Sequence, residues 1–262
     1  CNLGGFSPLL RTQPVSKTHE PVPSVSSNDR RQFLQLAGAG AGALLLAGAL
    51  PSVAAPTAPV TPPKPGDEAD PRQALARLMA GNHRFAANVT QRHDFMTERE
   101  ILVSHQHPFA TVLGCADSRA APEHIFDTGL GELFTVRVAG NFVTDNELAS
   151  LEYAVAVLGT PVVMVLGHDS CGALSAAVKA IQENATFPGK IQGLAQAFKP
   201  SVNKVLKAPG PLLANAIAQN VIDTVARLKH EPGLLSDAVA RGKLGIVGGV
   251  YRLHSGVVEL IA

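Results

Sequence analysis

Two apolar runs of the chain each end in side chains that could bind a metal ion. Residues 109–114 lead into Cys115-Ala-Asp117-Ser-Arg119, and residues 161–167 lead into His168-Asp-Ser-Cys171-Gly. Both runs are typical of buried β-strands, and ligands in open α/β sheets bind at the carboxyl ends of strands, so we expect these side chains to share one site. Two thiolates and one imidazole suit zinc, and three protein ligands with an open fourth position are typical of a catalytic zinc site.

Asp117 and Arg119 indicate how such a site would be controlled. Zinc lowers the pKa of a bound water toward neutrality, although two thiolates weaken this effect compared with three imidazoles. Asp117 could accept a hydrogen bond from the nucleophile, and Arg119 could hold that carboxylate ionised and in place with its planar guanidinium. Alternatively, Asp117 could become the fourth zinc ligand and close the site. Which of the two occurs depends on whether Arg119 holds Asp117 away.

The cysteines admit two other interpretations. The chain has three, at positions 1, 115 and 171, which is fewer than a secreted disulfide scaffold would have. A disulfide between Cys115 and Cys171 is the alternative for an exported chain, and thiol redox chemistry through the same pair would need no metal. The disulfide leaves His168 and the Asp–Arg pair without a role, and redox chemistry leaves His168 without one. The joint appearance of the two motifs therefore favours zinc.

Composition excludes some classes of partner. The chain has 262 residues, of which 46% are hydrophobic and 16% charged, enough for one sizeable α/β domain with a substantial core. A net charge of +1 without a clustered basic face, aromatic residues at 5% and the absence of tryptophan argue against nucleic-acid binding.

The amino-terminal region carries an export pattern. Residues 1–55 are predicted to be a disordered region followed by a twin-arginine signal peptide, because Arg30-Arg31 precede Phe33-Leu34, a short Ala/Gly/Leu run and small residues suited to cleavage. The run is too short and glycine-rich for a stable membrane span, which needs ~20 strongly apolar residues. Residues 56–71 are rich in proline and predict a linker, so the folded domain is expected over 72–262. The expected location is periplasmic or secreted.

Strand and helix patterns alternate through this domain. Strands are predicted at 133–139, 244–251 and 257–261 besides the two that lead into the metal motifs, with helices at 73–85, 122–126, 146–158, after Cys171 to about 182, 211–230 and 234–240. This alternation predicts an α/β fold with a mostly parallel central sheet flanked by helices. Residues 184–210 are expected to form a loop, and the last strand is expected at the edge of the sheet.

With these motifs the sequence closely resembles the β-class carbonic anhydrases. The resemblance rests on the Cys115–Arg119 and His168–Gly172 motifs, supported by residues 78–85 and 136–141, and extends over roughly 72–262. It implies one zinc ion bound by Cys115, His168 and Cys171, an orienting pair of Asp117 and Arg119, and a homodimer or a dimer of dimers. It further implies that Gln106, nine residues before Cys115, hydrogen-bonds bicarbonate, and that Phe134 lines the pocket for CO2.

The expected activity is therefore reversible hydration of CO2 to bicarbonate and a proton. Two rivals remain. One is a related zinc hydrolase acting on a CO2 analogue such as carbon disulfide, which a segment occluding the pocket would indicate. The other is a non-catalytic zinc-binding module with Asp117 permanently on the metal, against which the intact Asp117–Arg119 pair argues.

Overall fold

The computed structural model describes residues 70–262, so the predicted signal peptide and all but the end of the predicted linker lie outside the described residues. The helices of this part are α1 Pro71–Ala86, α2 Phe95–Ile101, α3 Pro122–Ile125, α4 Asp145–Ala156, α5 Gly172–Gln182, α6 Ile191–Ala197, α7 Lys199–Val205, α8 Leu212–His230 and α9 Leu234–Ala240. Its strands are β1 Ala110–Cys115, β2 Leu133–Val138, β3 Val162–His168, β4 Gly245–Tyr251 and β5 Val258–Leu260.

The first described helix has a well-formed start. Asp70 lies at its N-cap and accepts a hydrogen bond from the backbone N–H of Arg72, while Pro71 occupies the first turn, where its missing N–H costs nothing. None of the helices within residues 70–262 is long and apolar enough to cross a bilayer.

The five strands form one sheet in the order β2-β1-β3-β4-β5. The pairs β1–β2, β1–β3 and β3–β4 are parallel, and β5 pairs antiparallel with β4 at the edge. The predicted α/β fold with a mostly parallel sheet is thereby confirmed, as is the edge position of the last strand. Because β1 and β3 are parallel neighbours, their carboxyl ends meet, and these are the ends that carry the two metal motifs.

Both faces of the sheet are buried. Neighbouring residues of a strand point to opposite faces, so Val112 and Met164 join one apolar cluster with α1 and α3, while Leu113 and Val165 join the other with α4, α5, α7, α8 and α9. Burial on both faces explains why β1 and β3 are continuously apolar rather than alternating.

Helix α8 approaches the sheet closely where β3 has a glycine. A Cβ on Gly167 would lie 2.8 Å from a methyl carbon of Val221, so a larger residue would push the helix away. The glycine just before His168 therefore allows α8 to pack directly beneath the end of the strand that carries the motif.

The prediction of a loop over 184–210 is wrong. This segment contains α6 and α7, and its apolar side chains Ala195, Phe198 and Val202 are buried in the core. Each helix has only seven residues and the segment contains Gly193 and Pro200, so the helical periodicity is too short to recognise and the intrinsic propensity is weak. Packing against the sheet, rather than propensity, stabilises these helices.

Candidate metal centre

Three potential metal ligands converge at the carboxyl end of the sheet. Cys115 ends β1, His168 ends β3, and Cys171 caps the start of α5. One ligand atom from each lies within 4.8 Å of the other two, and the two sulfurs are 4.0 Å apart. A tetrahedral zinc ion bound about 2.3 Å from each sulfur would hold them about 3.8 Å apart, so the two cysteines fit this ion. All three residues are buried.

The hydrogen bonding of His168 leaves its Nε2 available to bind a metal. Its Nδ1 lies 2.8 Å from the carbonyl oxygen of Asp169, which can only accept, so Nδ1 carries the hydrogen. When the ring is neutral, this arrangement leaves a lone pair on Nε2. This nitrogen is buried and has no hydrogen-bond partner among the described residues, an arrangement that is costly unless a ligand completes it.

The contact between the two cysteines shifts their pKa values in opposite directions. A hydrogen bond from Cys171, a contact with His168 and the backbone N–H groups of Gly140 and Asp117 together lower the pKa of Cys115 to about 4. The same contact with Cys115, together with burial, raises the pKa of Cys171. A divalent cation bound here would favour the thiolate form of both cysteines. Both cysteines are free, so the structure does not contain the alternative disulfide between them.

Asp117 and Arg119 lie beside this cluster as an ion pair. Arg119 Nε donates to Asp117 Oδ1 at 3.0 Å and Nη2 donates to Oδ2 at 2.8 Å, and the backbone N–H of Arg119 adds a third bond at 2.9 Å. These contacts hold the pKa of the Asp117 carboxyl well below its usual range. Oδ2 of Asp117 is 3.9 Å from Nε2 of His168. An ionised carboxylate, restrained by arginine, therefore faces the position where a metal would lie.

Two further arginines anchor the loops that carry these residues. Arg137 of β2 donates to the carbonyl oxygens of Cys115 at 3.0 Å and Asp117 at 2.8 Å. Arg252 donates to the carboxylate of Asp169 at 2.8 Å, next to His168. Neither arginine was predicted from the sequence as a site residue. Arg137 could have been suspected as a charged residue within an apolar strand, whereas nothing in the sequence around Arg252 points to the metal motif 83 residues earlier.

Gln106 and Phe134 lie toward the opposite edge of the sheet, at the amino ends of β1 and β2. Gln106 is an exposed residue before β1. Phe134 pairs in register with Thr111, near the start of β1, whereas Cys115 pairs with Val138. Four residues of strand separate these levels, about 13 Å at 3.3 Å per residue. Within one chain, Phe134 is therefore remote from the metal cluster along the strand, and its ring contacts that of Tyr153 on α4.

The sheet and its Cys-His-Cys cluster define an α/β protein with a candidate catalytic metal centre. A sequence profile of the family named carbonic anhydrase matches residues 110–258, which include Cys115, Asp117, Arg119, His168 and Cys171. The chain is 40% identical over 192 residues to a carbonic anhydrase of Mycolicibacterium smegmatis, which covers 73% of this chain and 93% of the relative. It is 39% identical over 188 residues to carbonic anhydrase 2 of Mycobacterium tuberculosis, with 71% and 91% covered.

Solved structures agree with this family. The fold matches a β-carbonic anhydrase of Coccomyxa in complex with acetazolamide, with a TM-score of 0.58, 27% identity, and coverage of 71% of this chain and 86% of that chain. It also matches the β-carbonic anhydrase CcaA, with a TM-score of 0.56, 26% identity, and 72% and 95% covered. The chain belongs to the carbonic anhydrase family and, within it, to the β class.

Proposed function

We propose that this carbonic anhydrase is a zinc enzyme that interconverts CO2 and bicarbonate through Cys115, His168, Cys171, Asp117 and Arg119. The observation that carries the proposal is the buried Nε2 of His168, which has no partner among the described residues and lies within 4.8 Å of two cysteine sulfurs. Cysteine and histidine are the ligand types that zinc prefers, and three of them leave a position for water.

Each residue around the metal has a distinct task in this proposal. Zinc, when bound, supplies a water molecule acidic enough to act as a nucleophile near neutral pH. Asp117, whose ionised carboxylate lies beside the three ligands, would accept a hydrogen bond from that water and so orient it toward CO2. Arg119 keeps Asp117 ionised and prevents it from becoming a fourth metal ligand. The distance of 3.9 Å between Oδ2 of Asp117 and Nε2 of His168 supports this role.

The substrate-binding roles proposed for Gln106 and Phe134 require a second copy of the chain. Within one chain these residues belong to the amino ends of β1 and β2, and the metal ligands to the carboxyl ends. Strand β2 is an edge of the sheet. Beside it Leu130, Tyr153 and Val157 remain 43–64% exposed, which is typical of an interface. We therefore propose a homodimer, or a dimer of dimers, in which one copy brings Gln106 and Phe134 to the metal of the other.

Export by the twin-arginine pathway to the periplasm or the medium is proposed from the sequence of residues 29–55. The export machinery recognises the two consecutive arginines of the signal peptide. The variant Arg30→Lys with Arg31→Lys should therefore stay inside the cell. Fractionation of cells that express the wild type and this variant tests the proposal. Equal export of both would contradict it.

Stopped-flow measurement of CO2 hydration on the purified chain, with metal analysis of the same sample, tests the activity. We expect rapid hydration with about one zinc per chain, and loss of activity in Cys171→Ala with loss of zinc. The reaction is measured at neutral and mildly alkaline pH. Activity at the higher pH alone would indicate that Asp117 closes the site reversibly.

The same assay separates the two rivals. Stoichiometric zinc without CO2 hydration at either pH would contradict the proposal. Turnover of carbon disulfide by that sample would then identify the related hydrolase, and no turnover of either compound would identify a zinc-binding module.

A further inference from the structure

The backbone of Gly140 lies between the metal cluster and helix α8. Its N–H donates a hydrogen bond to Sγ of Cys115 at 3.2 Å, and its carbonyl oxygen accepts one from Nδ2 of Asn220 at 3.1 Å. Gly140 is 25 residues from Cys115 and 80 from Asn220 in the sequence. A buried side chain of α8 is thus linked to a candidate zinc ligand through a single glycine.

The aromatic ring of Phe198 also restricts the conformation of Gly140. Its φ of +86° lies in the left-handed region that favours glycine. A Cβ at this position would lie 2.4 Å from Cζ of Phe198 and 3.1 Å from Cβ of Ala173. Phe198 is itself fully buried and packs edge-on against Phe142. The backbone of Gly140 therefore has little room to rotate away from Cys115.

Asn220 is the polar member of this arrangement. Only 5% of the residue is exposed, and its neighbours on α8, Ile217 and Val221, belong to the apolar core. Burial of an amide costs free energy unless the amide is hydrogen-bonded. The bond to the Gly140 carbonyl offsets this cost. Loss of the amide would leave that carbonyl without this donor, so that packing against Phe198 alone would hold the orientation of the Gly140 backbone.

We propose that Asn220 is a positioning residue that keeps the Gly140 N–H directed at the Cys115 sulfur and thereby tunes this sulfur as a zinc ligand. The inference rests on the zinc centre proposed above. A hydrogen bond to a thiolate stabilises its charge and fixes its direction, and outer-shell partners of this kind typically change metal affinity about 10- to 100-fold. The effect of Asn220 is indirect, because its amide donates to the Gly140 carbonyl and the Gly140 N–H in turn donates to Cys115.

The test compares Asn220→Leu with Thr224→Val in the full chain. The leucine variant keeps the approximate shape of the side chain but cannot donate, and Thr224 is a buried polar residue one turn further along α8, 7% exposed. Circular dichroism establishes that each variant folds. Cobalt(II) is loaded because its charge-transfer band with thiolate reports the electron density on sulfur, and zinc affinity is measured by competition with a chelator.

We expect the cobalt band of Asn220→Leu to move to lower energy, because a less stabilised sulfur gives up an electron more readily. We also expect its zinc dissociation constant to rise about 10- to 100-fold, with both values unchanged in Thr224→Val. A folded Asn220→Leu chain with the wild-type band and affinity would overturn the role of Asn220. A wild-type chain with no thiolate-to-cobalt band would instead contradict the zinc centre itself.

A second measurement decides the matter if Asn220→Leu does not fold. The wild type and the smaller, polar variant Asn220→Ser are loaded with NMR-active cadmium, and scalar coupling from cadmium through sulfur to the Gly140 amide proton is measured. We expect coupling in the wild type and a weaker coupling in Asn220→Ser. No coupling in the wild type, or equal coupling in both chains, would overturn the inference.

Discussion

Arg119 binds both carboxylate oxygens of Asp117, and its guanidinium also lies 3.5 Å from the carbonyl oxygen of Ser170 in the loop that leads to Cys171. The pair therefore joins the two motif-bearing loops as well as holding Asp117 ionised. Since Oδ2 of Asp117 is 3.9 Å from His168 Nε2, a small movement of the carboxylate would bring it to a metal bound at this nitrogen.

Replacement of Arg119 should inactivate the enzyme without removing zinc. In Arg119→Ala, Asp117 is free to occupy the open metal position, so we expect the rate of CO2 hydration to fall about 100-fold or more while zinc content remains that of the wild type. Stopped-flow assays and metal analysis measure both. The double variant Asp117→Asn with Arg119→Ala should be no less active than Arg119→Ala, because the two residues act as a unit. Full activity of Arg119→Ala would show that Asp117 needs no restraint.

Mixing two inactive variants should restore activity if Gln106 of one copy acts in the active site of the other. Gln106→Ala lacks the substrate contact and Cys171→Ala lacks a metal ligand, so each homodimer is impaired at both sites. A mixed dimer has one site with an intact metal cluster from the first chain and an intact Gln106 from the second. Random co-assembly should therefore recover about a quarter of wild-type activity, as expected for a two-fold symmetric dimer. Activity no higher than the average of the separate variants would place Gln106 in its own chain's site or outside the reaction.

Alanine at Gly140 should destabilise the protein more than alanine at Gly159. Both glycines have positive φ, +86° and +73°, so both substitutions cost about 1–2 kcal/mol of backbone strain. A Cβ on Gly140 would clash with Phe198, whereas a Cβ on Gly159 would meet no atom within 4 Å. We expect Gly140→Ala to cost about 1–3 kcal/mol more in the free energy of unfolding. Urea denaturation measures the difference, and equal costs would show that Phe198 moves aside freely.

Asp223 should make stability depend on pH in the acidic range. Burial raises the pKa of this carboxyl, but hydrogen bonds from Lys204, Ser201 and Gln219, at 2.6–2.8 Å, outweigh burial and lower the pKa overall. A folded-state pKa below the unfolded value of about 3.9 stabilises the protein fully above that value, and this contribution is lost as the pH falls through the folded-state pKa.

The variant Asp223→Asn tests this dependence. At neutral pH we expect it to lower the free energy of unfolding by about 1 kcal/mol, and the difference from wild type should shrink as the pH falls below about 4. Urea denaturation across this range measures it. A difference that stays constant with pH would mean that the ionised carboxylate is not what stabilises the contact between α7 and α8.

The parts of the molecule that local sequence determines were predictable. Strands β1 and β3 are continuous apolar runs, and the residues that follow them have types and spacing that favour a metal site with an ion pair beside it. The length of α8, with its regular apolar spacing, made it recognisable as well. In each case the information lies within a few turns of helix or a single strand, where side-chain pattern and secondary structure are directly coupled.

Only the tertiary structure decided which distant residues support that site. Phe198 comes from a segment whose helices are too short to show periodicity, and Asn220 from the buried face of α8, where a lone amide has no visible partner in sequence. Both act at Gly140 because the parallel crossovers bring α7, α8 and the end of β2 together around Cys115. Contacts of this kind depend on burial and on which chain ends meet, and these are properties of the assembled fold rather than of any local stretch of sequence.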